Sequence, residues 1–222
     1  MDSRVMRITG AVVAVIVVLG VLAQVLLPGV AANRVRDKVE QYGTVKSVEV
    51  KAWPAVRLLF KHADEIKVRA GDLKMSLEQA VKLLEEAKGA GTMVLSAESL
   101  EVSPLSLADA KLEKHGDTMH AEGVVSLEGV EKVLPSGFDV QLVKSEAGKI
   151  TVRASGGPFG ANANVEAVAE AEAGKLVVHP TGFLIDGLKL TLFENPSVYI
   201  EGVEAHALGA SRYRVSMQAR LR

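Results

Sequence analysis

The chain has 222 residues, with 26 lysine and arginine residues against 27 aspartate and glutamate residues, and no cysteine. A formal net charge of −1 and the lack of a long basic run argue against nucleic-acid binding. The lack of cysteine excludes disulfides, thiol nucleophiles and thiolate-bound metal centres, so that the fold depends on burial of its apolar side chains.

The N-terminal region begins with Arg4 and Arg7 and continues into an uncharged run over residues 8–32. Only Thr9 and Gln24 interrupt its apolar character clearly. A helix of about 20 apolar residues crosses the hydrocarbon core of a bilayer. Residues 1–33 are therefore predicted to be a membrane anchor or signal segment that contacts the cytoplasmic membrane through residues 8–32.

This segment is either cleaved or retained as an anchor, because small residues at 30–32 resemble a signal-peptidase site. The apolar regions of signal peptides usually span about 7–15 residues, which favours an uncleaved single-pass anchor here. Long downstream domains are translocated largely regardless of their charge. Residues 34–222 are therefore expected to form one domain on the extracytoplasmic side, secreted to the envelope if the segment is cleaved.

The region after the anchor begins with a polar helix or linker over 34–45 and continues with period-two alternation over 46–52 and 64–73, which predicts two strands. A turn or short helix separates them. The best helix in the sequence covers 76–88, where Ser76 and Gln79 form a capping-box pattern.

The remainder of the chain alternates with period two almost throughout. Predicted strands cover 93–103, 107–114, 118–126, 183–193, 197–207 and 213–221, with a short helix over 127–134 and hairpins turning at 146–148 and 173–174. At Gly202 the alternation changes phase, which indicates a bulge. The predicted fold class is α+β: an N-terminal transmembrane or signal helix, then a large curved, mostly antiparallel sheet packed on one main helix.

Catalytic and metal-binding patterns are lacking in the sequence. The five histidines are scattered without a helical i, i+4 pair, and no G-x-S-x-G string occurs. The glycine-rich residues 156–160 lack the lysine of a phosphate loop. The sequence therefore predicts a protein that is not an enzyme and has no catalytic residue, metal or cofactor.

A run of small residues is the most informative feature of the alternating region. One face of residues 161–171 carries five alanines and one valine: Ala161, Ala163, Val165, Ala167, Ala169 and Ala171. Either a helix packs closely on this strand, or the small side chains line a groove for acyl chains, whose burial stabilises by about 0.8 kcal/mol per CH₂.

The last predicted strand carries arginines opposite its apolar side chains, at Arg212, Arg214, Arg220 and Arg222. This pattern is typical of a hydrated strand face. It also suits contact with phosphate headgroups, because the planar guanidinium donates paired hydrogen bonds to phosphate.

Two segments carry a family resemblance. In residues 39–73 a strand is followed by Trp53-Pro54-Ala55-Val56, then Leu58-Leu59-Phe60, then a strand beginning Asp64-Glu65-Ile66-Lys67-Val68; residues 134–156 add a Leu-Pro-x-Gly strand and a hairpin. In this layout the chain resembles the LmeA-type phospholipid-binding family of actinobacterial cell envelopes over about residues 35–222. It departs from the family pattern at Ala55 and around residues 61–62.

The resemblance implies non-enzymatic phospholipid binding in the periplasmic or cell-envelope space, in support of lipid or lipoglycan metabolism. We expect an apolar groove between the sheet and the main helix, lined by Val56, Leu59, Phe60, Leu77, Val81, Leu84, Phe138, Phe159 and Phe183. The four arginines of the last strand are the headgroup candidates. The alternative is a structural or scaffolding domain, tethered to the membrane, that holds an envelope enzyme.

Overall fold

The computed structural model describes residues 3–103, 105–127, 138–156, 163–181, 189–209 and 211–222. The first element is the 38-residue helix α1, Ser3–Glu40. Within the described chain it is the one helix long and apolar enough to span a membrane or to act as a signal sequence, and the apolar window within its residues Val17–Glu40 contains no buried residue. Residues 34–40, predicted to be a polar helix or linker, continue this helix without a break.

Twelve strands follow in the described part of the chain. They are β1 Gly43–Lys51, β2 Ala63–Met75, β3 Ala90–Val102, β4 Leu105–His115, β5 Thr118–Ser126, β6 Phe138–Glu146, β7 Lys149–Gly156, β8 Ala163–Glu172, β9 Lys175–Thr181, β10 Leu190–Phe193, β11 Val198–Ala207 and β12 Arg212–Leu221. They form a seven-stranded sheet in the order β1-β2-β3-β4-β5-β12-β11 and a five-stranded sheet in the order β10-β9-β8-β7-β6.

Helix α2, Leu77–Glu86, lies between β2 and β3, which pair in parallel, whereas the other described strand pairs are antiparallel. A parallel pair needs a crossover connection, and this helix is its main element. The predicted capping box is confirmed: the Ser76 hydroxyl accepts from the Gln79 amide, and the Gln79 side chain accepts from the Ser76 amide. A 3-10 turn, Ala87–Gly89, extends α2 to the start of β3.

The core lies on one face of the seven-stranded sheet, under α2 and the C-terminal end of α1. Val39 and Val35 of α1 pack with Val68, Leu73 and Ala97. Val81 of α2 packs with Met119, Ala219 and Leu221 near the other end of the sheet. This face is closely filled, since Leu73 is 2% exposed and Ala219 is 1% exposed.

The five-stranded sheet meets the edge strand β11 through its turns. The Ile200 amide donates to the Gly174 carbonyl (3.0 Å), the Val203 amide to the Gly148 carbonyl (3.3 Å) and the Ala205 amide to the Ser145 hydroxyl (2.8 Å). The register of β11 shifts between Ile200 and Gly202, which confirms the predicted bulge. Because of this shift, residues 200, 203 and 205 turn their amides away from β12.

The predicted fold class is confirmed, and the structure adds that the strands divide into two sheets. Both predicted hairpins, at 146–148 and 173–174, are present. The predicted helix over 127–134 lies almost wholly outside the described residues, as does most of the predicted strand over 183–193, of which β10 is the described end.

Candidate functional site

One face of the five-stranded sheet is apolar, and we call it the alanine face. Its strand register places Val152, Ala167 and Pro180 side by side, with Ile150, Ala169 and Val178 in the next row. Besides Phe193, which pairs with Leu176 at the edge of the sheet, the described side chains of the alanine face are Leu142, Ile150, Val152, Val165, Ala167, Ala169, Ala171, Leu176, Val178, Pro180 and Leu190. None of these eleven side chains is fully buried in the described structure; ten are half-buried and Leu190 is 49% exposed.

The opposite face of the same sheet carries charges. Arg153 forms an ion pair with Glu166 (2.5 Å), and Lys149 forms one with Glu170 (2.5 Å). His179 lies 3.3 Å from Glu172. A sheet with one charged and one apolar face normally buries the apolar face against another layer.

The alanine face meets the buried clusters of the described residues at one edge only, where Phe193, the partner of Leu176, packs against the cluster that contains Val81. None of the eleven side chains named above belongs to a buried cluster. The described helices α1 and α2 pack on the seven-stranded sheet instead. Of the two interpretations of the small residues, close packing of a helix on β8 is therefore not seen in the described structure. Ala161 lies outside the described residues, and only the backbone of Ala163 is described.

The predicted groove residues of α2 belong mainly to the protein core. Val81 is 7% exposed and packs with Met119 and Leu221, and Leu84 packs against the same cluster. Leu77, at the first position of the helix, is 42% exposed. Protein side chains thus occupy the space beside Val81 and Leu84 where the groove was expected.

The predicted positions of Val56, Leu59 and Phe60 on an inner face were wrong. These residues lie on a 3-10 helix, Ala55–Phe60, at the surface, and they are 46%, 64% and 72% exposed. The physical reason is that this short helix packs against α1 through Ala55, which is 1% exposed, and through Leu58, so that its other apolar side chains point outward. Whether they contact lipid stays a prediction.

The three predicted phenylalanines cannot be placed in the site. Phe138 begins β6, but its side chain is not described, and Phe159 and Phe183 lie outside the described residues.

Three of the four predicted arginines, Arg212, Arg214 and Arg220, lie on the face of β12 opposite Ala219 and Leu221, and Arg222 directly follows the strand. Arg220 pairs with Glu201 (2.5 Å), and the Arg222 guanidinium lies 4.1 Å from the centre of the Tyr199 ring. Arg212 and Arg214 are exposed, and the structure gives them no ion pair among the described residues. Arg212 and Arg214 are therefore the stronger headgroup candidates of the four.

A second feature lies where α1 meets the domain. An open cavity of about 530 Å³ separates the helix from the end of β1. It is lined by Gln24, Pro28, Val50, Lys51, Ala52, Trp53, Asp64 and Glu65. On its polar side, hydrogen bonds from Lys67 and Lys51 lower the pKa of the Glu65 carboxyl to about 2, so that Glu65 is ionised at neutral pH.

Lys114 is the one fully buried charged side chain of the described structure, at 1% exposure. Its ammonium donates to the Ala90 carbonyl (2.5 Å), just after the 3-10 turn that ends α2. Burial lowers the pKa of Lys114, because the charged form loses hydration. The structure therefore assigns Lys114 a role in closing the end of α2, at a distance from the alanine face.

The described residues contain no group of three or more histidine, aspartate or glutamate side chains arranged to hold a metal ion. Comparison of the chain with family models, curated proteins and solved structures gave no match. The resemblance to the LmeA-type family therefore stays a prediction from the sequence.

Proposed function

We propose that this chain is a membrane-tethered, non-enzymatic phospholipid-binding protein of the cell envelope, and that acyl chains lie along the alanine face. The observation that carries the proposal is that the eleven side chains of that face named above are all partly exposed to solvent. A continuous apolar surface on a small sheet, mostly outside the protein's own buried clusters, is typical of a surface that binds an apolar partner.

The small side chains favour an acyl chain as that partner. Alanine leaves room above the sheet, while Ile150, Val152 and Val178 supply apolar contact on both sides of the central strand β8. Each CH₂ group removed from water on this surface contributes about 0.8 kcal/mol, so ten methylenes give several kcal/mol of binding free energy. The exposed guanidiniums of Arg212 and Arg214, on β12 of the other sheet, are assigned to the phosphate headgroup because arginine donates paired hydrogen bonds to phosphate.

Retention of α1 as an uncleaved anchor belongs to the same proposal. Residues that cleavage after position 32 would remove make specific contacts with the domain: Gln24 donates to the Ala52 carbonyl (3.2 Å) and accepts from the Ala55 amide (2.8 Å). Ala31 and Ala32 pack against Val50 and its neighbours. A signal peptide discarded after export has no need of such contacts. We place residues 34–222 on the extracytoplasmic side.

Mass spectrometry of lipids that co-purify with the full chain tests the proposal. The informative variant is Ala167→Lys, which puts a charge in the middle of the alanine face. Its matched control is Val168→Lys, the next residue of β8, whose side chain lies on the charged face between Thr151 and His179. We expect phospholipid to accompany the wild type and the control, and to be reduced at least about tenfold in Ala167→Lys, which corresponds to about 1.4 kcal/mol.

Circular dichroism of both variants checks that the fold is retained. A wild-type protein that carries no phospholipid in repeated preparations would contradict the proposal and leave the tethered scaffolding role. Equal loss of lipid in both variants would show that the alanine face is not the binding surface.

A further inference from the structure

Four exposed apolar side chains follow β1 at the place where α1 meets the domain. Trp53 is 74% exposed, Val56 46%, Leu59 64% and Phe60 72%. We call these four residues the ledge. They include the only tryptophan of the chain. Exposed large apolar groups at this density mark a surface with a partner.

The ledge is fixed to α1 by its backbone. The Gln24 side chain donates to the Ala52 carbonyl at 3.2 Å and accepts from the Ala55 amide at 2.8 Å, so both sides of the ledge's first turn are held by one residue of the helix. Leu58, on the inner side of the same 3-10 helix, packs in the cluster that contains Ala31 and Ala32. The ledge therefore has a defined position along the axis of α1.

That position can be compared with the thickness of a bilayer. From Ile8, where the uncharged run begins, to Gln24 a helix rises about 24 Å, whereas the hydrocarbon core is about 30 Å thick. The apolar surface of α1 also continues past Gln24, since Val25 is 70% exposed, Leu26 61% and Val30 48%. A helix that fills the hydrocarbon core from Ile8 thus brings the level of Gln24 to within about 6 Å of the boundary between that core and the headgroups.

We infer that the ledge is a membrane-contact surface that lies in the interfacial region of the leaflet from which α1 emerges, and so fixes the domain's height and orientation on the bilayer. This inference rests on the proposed anchor. Tryptophan and phenylalanine suit this region, because their rings are stable at the boundary between headgroups and acyl chains.

The charges around the ledge agree with this position. Lys61 directly follows Phe60, is exposed, and forms no ion pair with any described residue. Arg57 forms an ion pair with Asp64 (2.7 Å) at the domain side of the ledge. A cation beside inserted apolar side chains reaches the lipid phosphates, as at other membrane-surface segments.

The fluorescence of Trp53 reports the environment of the ledge, because no other residue contributes tryptophan fluorescence. The full chain is reconstituted into vesicles of phosphatidylcholine and phosphatidylglycerol, and Trp53 emission is measured with spin-labelled lipids as quenchers. We expect emission shifted to shorter wavelength than in a fully hydrated tryptophan, and stronger quenching by a label near the headgroup end of the acyl chain than by one near its methyl end.

The double variant Leu59→Ser with Phe60→Ser should weaken the lipid quenching of Trp53, while the protein still floats with the vesicles through α1. The control Leu105→Ser removes an exposed leucine elsewhere, 43% exposed, and should leave the quenching unchanged. Flotation together with Trp53 that is quenched by aqueous acrylamide and not by lipid labels would overturn the inference while leaving the anchor in place. A protein that does not float would contradict the anchor and the inference together.

Discussion

The two sheets use similar apolar residues with different results. In the seven-stranded sheet α1 and α2 lie on the apolar face, and Leu73, Ile200 and Ala219 are 2%, 1% and 1% exposed. In the five-stranded sheet the alanine face stays half-exposed along its described length. The difference lies in the layer above the sheet, since both strand patterns alternate in the same way.

This comparison shows that alternation along a strand predicts which side chains share a face and leaves open what covers that face. The apolar sides of α1 and α2 cover the seven-stranded sheet, and the burial of that face stabilises the fold. On the second sheet neither of the described helices covers the apolar face, and in the proposed function an acyl chain takes the place of a helix.

The largest expected effect is a difference between two leucine-to-alanine changes. Leu73→Ala removes a side chain that is 2% exposed, and should lower the free energy of unfolding by about 2–5 kcal/mol. Leu142→Ala acts on the half-exposed alanine face and should cost less than half as much, because fewer contacts are lost. Urea unfolding of the delipidated protein measures both. Equal losses would show that the alanine face is as well packed as the core.

The junction of the two sheets is tested by a pair of glycine changes. Gly174 has φ +82°, and a Cβ there would lie 2.2 Å from the Tyr199 ring. Gly116 also has positive φ, +58°, but a Cβ would meet nothing within 4 Å. In both variants the alanine must adopt a positive φ, which costs about 1–2 kcal/mol. Gly174→Ala should cost about 1–3 kcal/mol more, since the ring must move.

Thermal unfolding of the two glycine variants checks this expectation. A Gly174→Ala protein as stable as Gly116→Ala would mean that the turn of β8 and β9 does not rest on β11 through Tyr199.

The smallest expected effect concerns two lysines on β4, whose contributions to the free energy of unfolding should change in opposite directions at alkaline pH. Burial holds the pKa of Lys114 below 10.5, so the unfolded chain binds more protons between the two values and stability rises with pH in that window. The hydrogen bond with Glu113 raises the pKa of Lys111 above 10.5, so its contribution is present below 10.5 and is lost as pH rises through the higher value.

Unfolding free energies of wild type, Lys114→Met and Lys111→Met, measured from neutral to alkaline pH, separate the two signs. Compared with Lys114→Met, the wild type should gain stability as the pH rises. Compared with Lys111→Met, it should lose stability as the pH rises. The same sign at both positions would contradict the assignment of buried and exposed faces of β4.

Local signals predicted most of the fold. The Ser76 and Gln79 capping box located the start of α2, and the change of phase at Gly202 located the bulge in β11. Period-two alternation located the described strands to within a few residues. These features depend on neighbouring residues alone, and a sequence records them directly.

The partition into two sheets depends on distant pairings, such as β5 with β12, that no local pattern records. Three residues of the ledge were predicted on an inner face for a similar reason. Val56, Leu59 and Phe60 have the spacing of a buried face, and only the contacts of Ala55 and Leu58 with the α1 region show that the buried side of this 3-10 helix is the other one. Trp53, the single tryptophan of the sequence, lies exposed beside them and was not among the predicted site residues.

The turns that meet β11 have a consequence for the proposed anchor. Copies anchored as proposed would diffuse in one plane with their sheets at the same height, which would favour end-to-end growth of any sheet with free amides at its rim. The amides of residues 200, 203 and 205 are already bonded within the chain. Intermolecular strand addition is thereby blocked at this rim, so copies anchored as proposed would not polymerise through it.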